Sequence, residues 1–204
     1  AQKPFLEKQL ASEGLVLLYS VPWPPQGIYA KKELKSMDDL KGLKFRTYNT
    51  FTGRIAALSG AIPTQVEVPD IPTAFSTGRV ESMITSPATG VDSKAWDFLT
   101  HYHDTQAWLP RNMVFVNKEA FDKLTADQKK AVTDAAKAAE ARGWKASEEE
   151  TTAKTQVLKD NKITIVTPSD ALKKGFTEIG GKIAGEWEAS AGADGKALLA
   201  NFNK

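Results

Sequence analysis

The sequence predicts an α/β protein, and three observations carry that prediction. Strand-like alternation gives way repeatedly to capped helical stretches: Leu43, Phe45 and Thr47 alternate with Lys44, Arg46 and Tyr48, and a helix over 51–59 follows, burying Ile55 and Leu58. The run Leu15-Val16-Leu17-Leu18-Tyr19 is continuously apolar, as expected of a strand buried on both faces. Residues 125–159 contain no proline and are dominated by Ala, Lys and Glu, which predicts one helix of roughly 50 Å.

The remaining elements follow in order. Phe5, Leu6 and Leu10 have helical spacing, and Gly14 stops that helix. Pro22, Pro24 and Pro25 forbid a helix around Trp23 and Gln26, and pre-order the loop that holds them. Residues 28–31 read as a short hinge strand and Ser36 caps one helical turn. Asn49 or Thr50 caps the helix after Arg46, and Gly60 ends it. Residues 64–68 and 81–85 alternate as strands, with a short helix between them carrying Pro72 in its first turn. Ser86-Pro87 opens another helix in cap order, which places Thr85, Ser86 and Thr89 where free N–H groups suit an anion. Ordinary capping explains Ser86 equally well. Residues 111–116 form a strand, 163–166 a last one, and helices follow from Ser169. His101 and His103 read as solvated surface residues, since a metal site needs more ligands and better spacing.

Composition excludes several classes. The chain has 204 residues, of which 41% are hydrophobic and 25% charged, values of an ordinary globular protein with one or two domains. Its formal charge of +2 provides no footprint for nucleic acid. Cysteine is absent, which removes disulfides, thiol catalysis and thiolate metal sites. No apolar run approaches a membrane span, and residues 1–10 are mixed and polar. No P-loop, dinucleotide-binding glycine motif, nucleophile elbow or metal-ligand helix is present, so a hydrolase is a poor reading and no cofactor is expected.

Arg46 stands near the carboxyl end of its strand, the end that faces the ligand crevice in open α/β sheets. An arginine there can present a planar fork to a carboxylate, although residue type alone favours a surface arginine at a strand edge. Three segments decide between these. "DLKGLKFR", "ALSGAIPTQVEV" and "AFSTGRVESMITSP" resemble the C-terminal two-thirds of the extracytoplasmic solute receptors of TRAP transporters, the DctP-like family.

The resemblance implies a two-lobed periplasmic binding-protein fold with a long lobe-spanning helix and further chain ahead of residue 1. Its expected division is 1–26 in lobe one, 27–110 in lobe two, 111–154 in lobe one and the spanning helix, and 155–204 in lobe two. It implies a periplasmic receptor that closes on a small organic acid and hands it to membrane transporter subunits, with no catalysis; the binding component of an ABC-type importer for another anion is the alternative. Arg46 matches the arginine expected to pair with the ligand carboxylate, and is expected to be hydrated without ligand. Gln26 stands where many relatives have a second arginine, which points to a monocarboxylate, of the 2-hydroxy, 2-oxo or aromatic kind. Ser86 replaces an asparagine of the family motif. Trp23, Asn49, Thr85, Trp108, Asn112 and Phe115 complete the expected ligand-binding set.

Overall fold

The computed structural model describes residues 2–202, the side chain of Phe202 excepted. The ends of the expected division, Ala1 and Asn203-Lys204, lie outside the described residues. In chain order the elements are α1 (Lys3–Ser12), β1 (Leu15–Pro22), β2 (Gln26–Ala30), β3 (Lys44–Thr47), α2 (Thr50–Leu58), β4 (Ile62–Gln65), α3 (Ile71–Ser76), β5 (Ser82–Thr85), α4 (Pro87–Asp92), β6 (His101–Trp108), β7 (Arg111–Asn117), α5 (Lys118–Asp122), α6 (Ala126–Asp160), β8 (Thr164–Val166) and α7 (Asp170–Phe202). No helix among the described residues is long and apolar enough to cross a membrane.

The chain forms two compact units. The first comprises the chain up to Trp23, Arg111–Ser147 and the chain from Gly185 onward; the second comprises Pro24–Pro110 and Glu148–Ala184. The last segment departs from the expected division, which placed all of 155–204 in lobe two. Non-helical φ and ψ at Gly192 interrupt α7, and beyond Gly185 its Asp194 pairs with Lys8 of α1 at 2.7 Å.

The second unit is built on a six-stranded mixed sheet in the order β4-β3-β5-β2-β6-β8. β3 runs parallel to β4 and β5, while β2 runs antiparallel to β5 and β6. Alternation along the strands divides the core between two clusters. Ile28, Phe45 and Ile84 pack with Ile55 and Ala56 of α2 and with Leu172, Phe176 and Ile179 of α7. Tyr29, Met83 and Tyr102 pack with Ile71 and Phe75 of α3 and with Leu158 of α6. The expected hinge strand is therefore a central one: every residue of β2 is buried. β4 ends at Gln65, earlier than expected, because the chain turns away at Val68–Asp70, the Val66 N–H making a last bond to Thr47 O.

His103 is another correction. It is fully buried rather than solvated, with Nδ1–H donating to Ile28 O (3.1 Å) and Nε2 accepting the Leu34 N–H (2.7 Å). This pairing requires the neutral ring, and burial accordingly holds its pKa below the ordinary histidine value.

In the first unit β1 and β7 form an antiparallel ribbon with a bulge at Leu18. β1 is half-buried, not buried on both faces as expected, because among the described residues β7 is its one strand partner and Met113, Val114 and Phe115 on that partner are exposed. α6 fastens the ribbon. Glu140 Oε1 accepts the Ser20 N–H at 3.0 Å, and Trp144 Nε1 donates to Ser20 O at 3.1 Å, so one turn of helix satisfies both backbone groups of one residue. Gly143 is the point of close approach: a Cβ there would lie 2.2 Å from Val21 Cγ1. Thr125 and Gln128 start α6 with a reciprocal capping box, Thr125 N–H to Gln128 Oε1 at 2.9 Å and the return bond at 3.3 Å.

Two outcomes are expected. Gly143→Ala destabilises by up to about 2 kcal/mol in urea unfolding, because the clash outweighs the roughly 1 kcal/mol that alanine gains over glycine in a helix. For His103, the unfolded ring takes up a proton below about pH 6.5 while the folded ring resists, so stability falls as pH drops from about 6.5 toward the depressed folded value. A His103→Phe variant loses that slope. It also loses about 1–3 kcal/mol for each backbone group left unpaired.

Candidate ligand-binding site

The strand directions gather chemistry at one end of the six-stranded sheet. The carboxyl ends of the parallel strands β3 and β5 point there, and the antiparallel neighbours bring the start of β2 and the end of β6. Arg46, Thr85, Gln26 and Trp108 therefore converge from four adjacent strands.

Arg46 is the centre of this group and is 1% exposed, against the expectation of a hydrated arginine. Alternation turns it away from Phe45, toward the Met83 side of the sheet. Its Nε donates to Val66 O at 2.8 Å, and the Tyr48 ring lies 4.9 Å from the guanidinium carbon. Nη2 is buried without a hydrogen-bond partner. Burial draws the guanidinium pKa below its ordinary value, opposed by the fields of Tyr48 and Glu67. A cation removed from water with one donor unsatisfied is costly, and an anion beside it offsets that cost.

Gln26 is buried and neutral, and its Oε1 accepts from Tyr48 Oη at 2.8 Å. That bond orients the carboxamide, and burial raises the Tyr48 pKa, so the phenol remains a donor at neutral pH. Trp108 lies opposite Gln26, placed by an irregular register in which the six residues of β6 from His103 to Trp108 span three of β2, Gln26 to Ile28. Within this surplus Gln106 takes a left-handed φ of 47°. Gly27 permits the arrangement, since a Cβ on it would lie 2.3 Å from His103 O. The Trp108 ring stacks on Phe51 at 5.3 Å. Its Nε1 lies near enough to the Tyr48 hydroxyl to influence it, yet forms no aligned hydrogen bond and is buried.

Two further expected residues have their side chains engaged by caps. Asn49 accepts the Thr52 N–H at 2.8 Å, and Ser86 accepts the Thr89 N–H at 3.1 Å. Tyr29 Oη also bonds Ser86 O at 3.1 Å, so Ser86 is held from both sides. Thr85 pairs with Gly27 and is buried. Trp23, Asn112 and Phe115 belong to the first unit and are exposed there. Tyr48 and Phe51 were overlooked by sequence reasoning. The spacing carried a signal for Tyr48, which is two residues beyond Arg46 and hence on the same side of an extended chain. Phe51 follows the Asn49 cap by two residues, and only the tertiary stack on Trp108 reveals it. Among the described residues no cluster could hold a metal ion.

Tyr48→Phe is expected to cost about 1–3 kcal/mol of stability, because Gln26 Oε1 then lies buried without its donor. Thermal unfolding of the two proteins measures it; an unchanged midpoint would show that water replaces the phenol.

The site can be compared with known proteins. DctP7 of Bordetella pertussis, an extracytoplasmic solute receptor binding pyroglutamic acid, is 45% identical, with a TM-score of 0.96 over 99% of this chain and 67% of its own. DctP6 of the same organism, also binding pyroglutamic acid, is 44% identical, with a TM-score of 0.96 over the same shares of the two chains. A TRAP solute-binding protein from a marine metagenome, specific for pyroglutamate and crystallised with it, is 39% identical, with a TM-score of 0.94 over 98% of this chain and 66% of its own. The chain thus spans about two-thirds of the length of these relatives. Residues 5–189 match the DctP family, described as bacterial extracellular solute-binding protein, family 7, and the chain belongs to that family.

Proposed function

We propose that this chain carries the ligand-binding machinery of a TRAP-type receptor for pyroglutamate or a close cyclic monocarboxylate. The observation that carries the proposal is the buried Arg46, whose Nη2 lacks a partner at the sheet end where Gln26 and Trp108 converge. In this role the ligand carboxylate takes the vacant position on the guanidinium. The Phe51–Trp108 pair supplies apolar surface for a small ring. Gln26, being uncharged, adds no second charge next to Tyr48 and Arg46, which matches one carboxylate rather than two. The three relatives named for pyroglutamate, at 39–45% identity, support the cyclic acid over the 2-hydroxy, 2-oxo and aromatic acids that the sequence suggested.

The protein acts by capture and release, not catalysis. The loaded form is passed in the periplasm to membrane subunits of the transporter. Closure on the acid removes its water, and Arg46 replaces several of those hydrogen bonds at once.

Thermal-shift measurement of the native full-length protein against small organic acids tests the ligand class. A matching acid at a hundredfold excess over its dissociation constant stabilises by about 2.7 kcal/mol. Arg46→Ala loses about 2–5 kcal/mol of binding, roughly thirty- to several-thousandfold. Arg46→Lys loses much of the same, because an ammonium makes no planar two-point contact. Arg46→Met separates binding from folding. It abolishes capture while ligand-free stability stays within about 1 kcal/mol of wild type or rises, since an apolar stem replaces an underpaired buried charge. Wild-type affinity in Arg46→Met would remove this site from consideration.

A further inference from the structure

The buried polar groups at this sheet end share a bias. Arg46 Nη2 and Trp108 Nε1 are both donors, both buried and both without a partner. Gln26 accepts the Tyr48 hydroxyl with one lone pair of its amide oxygen, and its N–H pair adds two further donors. The acceptors named here are neutral: the Tyr48 oxygen, whose hydrogen is directed at Gln26, and the remaining lone pair of Gln26 Oε1. Glu67, the acidic residue whose field reaches Arg46, is exposed and accepts from Gln65 Nε2 at 3.4 Å.

From this we infer that the site selects N-acylated or nitrogen-free acids and rejects free α-amino acids. The inference rests on the cyclic-monocarboxylate reading of the same site. An α-ammonium carries a full positive charge and two or three donors, and it needs acceptors, preferably a carboxylate. Beside Arg46 it would meet a like charge and donors that face it with their hydrogens. Closing the nitrogen into a lactam changes each term. The charge disappears, one N–H remains, which the Tyr48 oxygen can accept, and a carbonyl appears that can accept from Trp108 Nε1. Arg46 takes the carboxylate. The discrimination is thus between a lactam and its ring-opened amino acid, and it comes from the like charge of Arg46 and from donors that an ammonium cannot satisfy.

Titration calorimetry on the native full-length protein with five ligands tests this. L-pyroglutamate is the reference. The lactone 5-oxotetrahydrofuran-2-carboxylate keeps the shape and the acceptors but has no N–H, and should bind within about tenfold. L-proline keeps the ring and carboxylate but carries a charged nitrogen and no carbonyl, and L-glutamate is the opened chain; both should be weaker by at least a hundredfold. Cyclopentanecarboxylate has neither lactam group and serves to probe Trp108. Trp108→Phe, which keeps an aromatic stack on Phe51, should lose about tenfold or more for pyroglutamate and less than threefold for cyclopentanecarboxylate. Glutamate or proline binding within tenfold of pyroglutamate would overturn the inference while leaving the receptor reading intact. Failure of pyroglutamate and the lactone alike would overturn the receptor reading itself, and this inference with it.

Discussion

A guanidinium removed from water at the end of β3 is the constraint around which the second unit is arranged. Arg46 has its Nε on a backbone carbonyl and the Tyr48 ring against it, and one nitrogen is left without a partner. Burying an arginine this way consumes stability that the two apolar clusters must supply. In the proposed role this cost is already met before a carboxylate arrives, because the charge is already desolvated. A hydrated arginine would pay those costs during binding.

The neighbouring strands determine what surrounds it. Gln26 at the start of β2 adds a polar group but no charge, and Tyr48 fixes which way its amide points. The irregular β6, with left-handed Gln106, brings Trp108 opposite Gln26. A backbone held in an uncommon conformation costs of order 1–3 kcal/mol, and such strain tends to collect where a side chain must be aimed. Gly27 makes the close crossing possible, since any side chain there would collide with the His103 carbonyl. Each feature is local, yet together they place one cation, an indole N–H and an aromatic stack at the same sheet end.

Much of this was legible from sequence because it depends on local periodicity and capping. Asn49, Ser86, Asn117 and Thr125 all cap the helices that follow them, and the breaker-free stretch after Thr125 is one helix of 35 residues. The place of Arg46 near the end of β3 was legible from alternation. What local pattern could not convey was burial. Whether Arg46 is hydrated, whether β1 is covered and whether His103 meets water all depend on partners distant in the chain. His103 is held by Leu34 and Ile28, some seventy residues away, and no spacing within 101–104 announces them. The Tyr48 and Phe51 contacts were missed for the same reason, their partners lying on β2 and β6.

The central claim is that a ligand carboxylate completes Arg46. A crystal structure of the full-length protein grown with L-pyroglutamate tests it most directly. The account predicts a carboxylate oxygen at about 2.7–2.9 Å from Arg46 Nη2, with the Val66 bond retained. A ligand whose carboxylate is held elsewhere, with Arg46 Nη2 bonded instead to protein or water, would contradict it.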